Sequence, residues 1–230
     1  MKPLHYAIPA AFVLIAACGP RTEPESPSPG APSIAVRQPP EADARPVIVA
    51  FGDSISEGYG VQAGSSYPDF LQNELDRKGL RYRVVNAGVS GDTTAGGLAR
   101  LPRIVAMKPE IVILELGGND GLRGFPLSVT KANLEKMIVA LKDAGARVLL
   151  VGMTLPANYG SEYIKPFEQM YRDLAAAHNV ELAPFIMDGA PHREGRRDLV
   201  QADGIHPTAE GHRYLSEGLL RHLEPMLETR

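Results

Sequence analysis

Five short apolar runs punctuate this chain: Pro46–Phe51, Tyr82–Ala87, Glu110–Leu116, Arg147–Met153 and Val180–Phe185. Each reads as a short strand buried on both sides. Helical stripes fill the intervals. Leu71, Leu75 and the residues between make one, and Leu98, Leu101, Ile104 and Val105 make a second. Leu134, Met137, Ile138 and Leu141 keep an i, i+3, i+4, i+7 spacing that Phe167, Met170, Tyr171 and Leu174 repeat, and Leu215, Leu219, Leu220 and Leu223 form the last. Gly79 and Gly145 stand where helices should stop. Buried strands alternating with helices imply an α/β fold, a parallel sheet covered on both faces.

Sheets of this kind bind ligands beyond the carboxyl ends of their strands. That rule gives four distant fragments one address. Gly52-Asp53-Ser54 follows the first run, and Asn86-Ala87-Gly88-Val89-Ser90-Gly91-Asp92-Thr93 closes the second. Glu115-Leu116-Gly117-Gly118-Asn119-Asp120 closes the third, and Asp203-Gly204-Ile205-His206-Pro207 precedes the last stripe. Together they hold the parts for acyl transfer through a serine. Ser54 supplies an alcohol, although a serine in such a turn equally suits a helix N-cap. His206 can take and return its proton, and Asp203, three residues earlier, can orient the ring. The other five histidines lie in the N-terminal segment or in polar and helical contexts. Asn119 offers a carboxamide to an oxyanion, or else an Asx-turn. A glycine N–H at a helix start can point at an anion, and Gly88 and Gly91 compete for that role. Leu122, Phe125 and Leu155 follow the third and fourth strands and should border an acyl pocket.

These blocks resemble those of the SGNH, or GDSL, hydrolase superfamily. The likeness extends over nearly the whole globular part. Ser90-Gly91-Asp92-Thr93, Gly97–Pro102, Glu115–Gly124 and Leu155–Gly160 look like its bacterial periplasmic thioesterase, lysophospholipase and arylesterase branch. The resemblance implies a flavodoxin-like three-layer α/β/α sandwich with strand order 2-1-3-4-5. It also implies Ser54, Asp203 and His206 as the catalytic set, and it places the oxyanion glycine in Ser-Gly-Asp-Thr. The hole would then be Ser54, Gly91 and Asn119. The expected substrates are short- and medium-chain acyl or aryl esters, thioesters and lysophospholipids. A carbohydrate O-deacetylase is the enzymatic alternative, and a binding lipoprotein that kept the fold is the non-enzymatic one. No Gly-x-Ser-x-Gly elbow occurs, which argues against an α/β-hydrolase.

The front of the chain is of another kind. Lys2, an apolar stretch to Ala17 and the single cysteine, Cys18, describe a secretory signal, and Ile15-Ala16-Ala17-Cys18 resembles a bacterial lipobox. That likeness implies a cut before Cys18 and a lipid on it, and Gly19 after it favours the outer membrane. Residues 18–45 carry Pro20, Pro24, Pro27, Pro29, Pro32, Pro39 and Pro40 with few large apolar residues, and read as an extended tether. Residues 46–230 form the expected hydrolase domain. Net charge is −3, and removing residues 1–17 takes away only Lys2 and leaves −4. No basic stripe suggests a nucleic-acid partner. No zinc spacing and no dinucleotide fingerprint stands out, so neither metal nor cofactor is expected, and a monomer is.

Overall fold

The first strand sets the frame. In the computed structural model, which describes residues 43–185 and 197–227, β1 (Val47–Gly52) is buried along its whole length. It lies second in a five-stranded sheet of order β2-β1-β3-β4-β5, with β2 at Arg83–Asn86, β3 at Ile111–Glu115, β4 at Arg147–Val151 and β5 at Glu181–Ala183. Every pairing is parallel, and β1 meets β3 in the register Ile48↔Ile111 through Gly52↔Glu115. The strand order is the one the resemblance implies. The runs are not equally buried: β1 and β3 are buried throughout and β4 at every residue but Arg147, whereas the edge strands β2 and β5 are partly exposed. An edge strand has a neighbour on one side only, and apolar content alone does not reveal that.

Seven helices join the strands among the described residues: α1 (Ser54–Glu57), α2 (Tyr67–Arg77), α3 (Thr94–Ala106), α4 (Gly118–Leu122), α5 (Leu127–Asp143), α6 (Ser161–His178) and α7 (Ala209–Leu223). The apolar stripes lie on α2, α3, α5, α6 and α7 and face the core. α2 packs against α7, while α3, α5 and α6 pack in series, giving a helical layer on each side of the sheet. Gly79 and Gly145 follow α2 and α5 with φ of +71° and +86°, the left-handed backbone that ends a helix and that glycine adopts without a Cβ penalty. α1 and α4 are the elements the stripes could not show. Each is about one turn long, too short for a period, and each starts at a strand's carboxyl end.

The signal segment, Cys18 and most of the tether lie outside the described residues. The tether's last residues do not: the Arg45 guanidinium donates to the Tyr82 carbonyl at 3.2 Å, so contact with the domain begins slightly ahead of Pro46.

Candidate active site

Strand β1 delivers its chain into a capped turn. Asp53 is the N-cap of α1, and its buried carboxylate accepts the Ile55 N–H at 3.1 Å. The cap therefore falls to Asp53, one residue earlier than the cap reading of Ser54. Ser54 opens α1 with its hydroxyl half-buried at the sheet edge. As the first helical residue it has no intrahelical acceptor, and its N–H has no other partner among the described residues.

The Ser54 Oγ lies 2.9 Å from His206 Nε2 although 152 positions separate the two. On the far side of the ring, His206 Nδ1 lies 2.6 Å from Asp203 Oδ2. Asp203 Oδ1 accepts the backbone N–H groups of Ile205 and His206 at 2.9 and 3.0 Å, so the turn itself aims the carboxylate. Partial burial pushes the Asp203 pKa up, but the imidazole and these two amides outweigh it, and the net direction is down. With an ionised Asp203 accepting a hydrogen bond from the Nδ1–H, Nε2 is left as the acceptor for the Ser54 hydroxyl.

Asn119 sits on α4, and its Nδ2 donates to Asp53 Oδ2 at 3.2 Å and to the Asp92 carbonyl at 3.0 Å. It is a tertiary tie and not a local Asx-turn. Gly117 before it has φ of +113°, and a Cβ there would meet the Tyr171 hydroxyl at 2.2 Å, so the approach admits only glycine. Gly88 and Gly91 now separate. The Gly88 N–H is taken by Asn86 Oδ1 at 2.9 Å, whereas the Gly91 N–H has no acceptor among the described residues. Gly91 is not at a helix start as expected. It stands in an exposed left-handed turn at φ +80°, ahead of Thr93, which caps α3.

A pocket of about 430 Å³ opens beside Ser54 and His206. Leu122 and Leu155 line it with Met153, Ile164 and Phe185. Phe125, expected at its wall, is outside it: α4 ends at Leu122, and the chain has turned away by the time it reaches Phe125, which is 39% exposed. Among the described residues no group of three or more His, Cys, Asp or Glu side chains could hold a metal ion.

Comparison with known proteins decides the class of this site. Residues 50–214 match the GDSL-like lipase/acylhydrolase family. The "Esterase TesA" of Pseudomonas aeruginosa is 44% identical over 181 residues, 78% of this chain and 89% of that protein. The "Thioesterase 1/protease 1/lysophospholipase L1" of Escherichia coli K12 is 37% identical over 187 residues, 81% of this chain and 87% of that one. A crystal structure of TesA superposes with a TM-score of 0.74 at 43% identity, covering 79% of this chain and 99% of that one. The chain belongs to the GDSL-like lipase/acylhydrolase family. It is an ester hydrolase.

Behind the turn of this GDSL hydrolase lie supports that the sequence did not single out. Glu115 ends β3 wholly buried, and its Oε2 accepts the Ser56 N–H at 3.1 Å and the Ser56 hydroxyl at 2.6 Å. The Tyr67 hydroxyl joins the same Ser56 oxygen at 2.8 Å. Burial, reinforced by the nearby Asp53 charge, drives the Glu115 pKa well up, toward the neutral acid. Burial also raises Asp53 to about 6, against the pull of the Ile55 amide, the His206 charge and Asn119. Arg100 on α3 ties the loop after β2 to the end of β1: its guanidinium bonds Asp92 at 2.6 Å and the Ala87 and Gly52 carbonyls at 2.7 Å each, and it lies over the Phe51 ring. Gln201 steadies the base. Its backbone N–H donates to the His206 carbonyl, and its Nε2 donates to Tyr59 O and Pro207 O, each at 2.8 Å. Tyr59 in turn donates its N–H to the Ser54 carbonyl at 3.0 Å and sets its ring 4.6 Å from the His206 ring. A charged residue ending an apolar strand was a signal for Glu115. Gln201 carried none.

Proposed function

We propose that Ser54 attacks the acyl carbonyl of an ester while His206 takes its proton and then hands it to the leaving group. Asp203 holds His206 in the tautomer that accepts at Nε2 and steadies the imidazolium that forms. The carbonyl oxygen, gaining charge, draws on the Ser54 N–H, the Gly91 N–H and Asn119. Of Asn119's two bonds, the 3.2 Å one to Asp53 is the longer and the easier to redirect. Water activated by the same histidine then releases the acyl group from Ser54. The observation that carries this reading is the unbroken Ser54–His206–Asp203 chain of 2.9 and 2.6 Å contacts beside two backbone N–H groups that are unengaged among the described residues.

The substrates this reading favours are short- and medium-chain acyl or aryl esters, thioesters and lysophospholipids. The predominantly apolar side chains of the pocket and the names of the relatives support them. An acetyl-sugar deacetylase would have little use for so much apolar lining. Cys18 is proposed to carry a lipid that holds a monomeric enzyme in the bacterial envelope, at the outer membrane. The lipobox-like Ile15-Ala16-Ala17-Cys18 supports that, and metabolic labelling with a fatty acid, lost in Cys18→Ala, tests it.

The decisive test of the chemistry is Ser54→Ala. Hydrolysis of p-nitrophenyl butyrate should fall by roughly 10⁶-fold with circular dichroism unchanged. Labelling of the wild-type protein by a fluorophosphonate should map to Ser54. Turnover retained in Ser54→Ala would refute the assignment.

A further inference from the structure

The pocket follows the carboxyl ends of the strands. It runs from Ser54 after β1, past Asn119 after β3, to Thr154 after β4 and Phe185 after β5. A second, smaller cavity of about 80 Å³ lies against it. Four residues border both: Met153, Thr154, Glu168 and Phe185. Two of them are joined, for the Thr154 hydroxyl donates to Glu168 Oε1 at 2.6 Å. The other carboxylate oxygen stands 3.5 Å from the Arg172 guanidinium one turn further along α6. A pocket whose side chains are predominantly apolar is thus bordered on this side by a hydrogen-bonded carboxylate.

We infer that the Thr154–Glu168 pair is the far wall of the acyl pocket and sets the longest acyl chain the enzyme accepts. The inference rests on the ester-hydrolase reading above and deepens it. An acyl tail growing from the Ser54 end crosses from β1 to β4, two strand spacings or roughly 10 Å, before it meets the pair. A chain that stops short buries its methylenes against Leu122, Met153 and Leu155. A longer one presses against a carboxylate, strips its water and offers no hydrogen bond in return, which opposes binding. Behind the wall, the second cavity is room the tail does not reach while Thr154 and Glu168 stay joined.

The test is the ratio of kcat/KM for p-nitrophenyl dodecanoate to that for the butyrate, measured on the full chain. Glu168→Ala removes the wall and should raise this ratio about tenfold, the scale of a few added apolar contacts. Thr154→Val keeps the volume but frees the carboxylate to swing away, and should move the ratio in the same direction by less. Glu168→Gln keeps shape and the bond to Thr154 while removing the charge. It should also raise the ratio, which separates charge from bulk and serves where the alanine variant does not fold. An unchanged ratio in variants that still hydrolyse butyrate would overturn the wall and leave the ester reading intact. A wild-type enzyme inert toward every ester of the series would overturn the reading itself, and the wall with it.

Discussion

The turn that carries Ser54 and the loop that carries His206 meet at one hydrogen bond, yet they are built in opposite ways. The turn is fixed from beneath. It leaves a strand with no exposure, is capped by a buried carboxylate, and is tied through Ser56 to Glu115 and through Gly52 to Arg100, contacts 59 and 48 positions apart. The loop is fixed from within itself. A single antiparallel bridge, Val200↔Pro207, closes it, Asp203 bonds its own next residues, and Gln201 bonds His206 and Pro207. Among the described residues, Gln201 and the Tyr59 ring join Ser54 in linking that loop to the turn. Damage to the first should therefore appear as lost stability, and damage to the second as lost rate.

The comparison is most exposed at Asp203. Asp203→Asn should lower kcat/KM by about 10⁴-fold with little change in melting temperature, because the histidine would hold the wrong tautomer in an intact loop. A fall under tenfold would remove Asp203 from its role. Asn119→Ala should cost about 10²–10³ in kcat with KM little changed, measured on a short-chain ester. A mainly KM effect would move Asn119 from the oxyanion to ground-state binding. Gln201→Ala should cost roughly tenfold in kcat by letting the base drift from Ser54. A lower melting temperature with kcat intact would mean that the loop is not governed locally.

The smallest effect concerns the turn. Asp53 and Glu115 both have folded-state pKa values raised by burial, Asp53 from 3.8 to about 6. The folded form therefore holds more protons than the unfolded chain above about pH 4. The stability these groups lend is complete in acid and fades as pH rises through their folded values. His212, wholly buried and lowered by that burial from 6.5 to about 4, works the other way: stability declines as pH falls below 6.5. Glu115→Gln keeps an oxygen for Ser56 and removes one source of the loss at higher pH. Its melting temperature should exceed that of the wild type by about 2–4 °C at pH 8, and by less at pH 5. A variant less stable at pH 8 would show that Glu115 serves the turn as an anion.

Sequence pattern revealed the sheet, its five covering helices and the convergence of four fragments, because burial periodicity and strand-end turns are local signals. Its misses were contacts set by the assembled fold. Edge position made β2 and β5 wetter than their composition. The cap passed from Ser54 to Asp53, Gly91 proved to stand in a turn ahead of the helix, and Phe125 fell outside the pocket. Arg100 and Gln201 act on partners 48 and 142 positions away, and the Thr154–Glu168 pair joins the loop after β4 to α6, contacts that no spacing rule reaches.

The hydroxyl at position 54 and the imidazole at position 206 meet across 152 positions of chain, and α7, which follows the base loop, packs on α2, which follows the serine turn. A nascent or partly unravelled chain therefore carries its alcohol without the means to activate it. For an ester hydrolase whose alcohol and base come from opposite ends of the domain, hydrolytic power is thus a property of the assembled fold and not of any one segment.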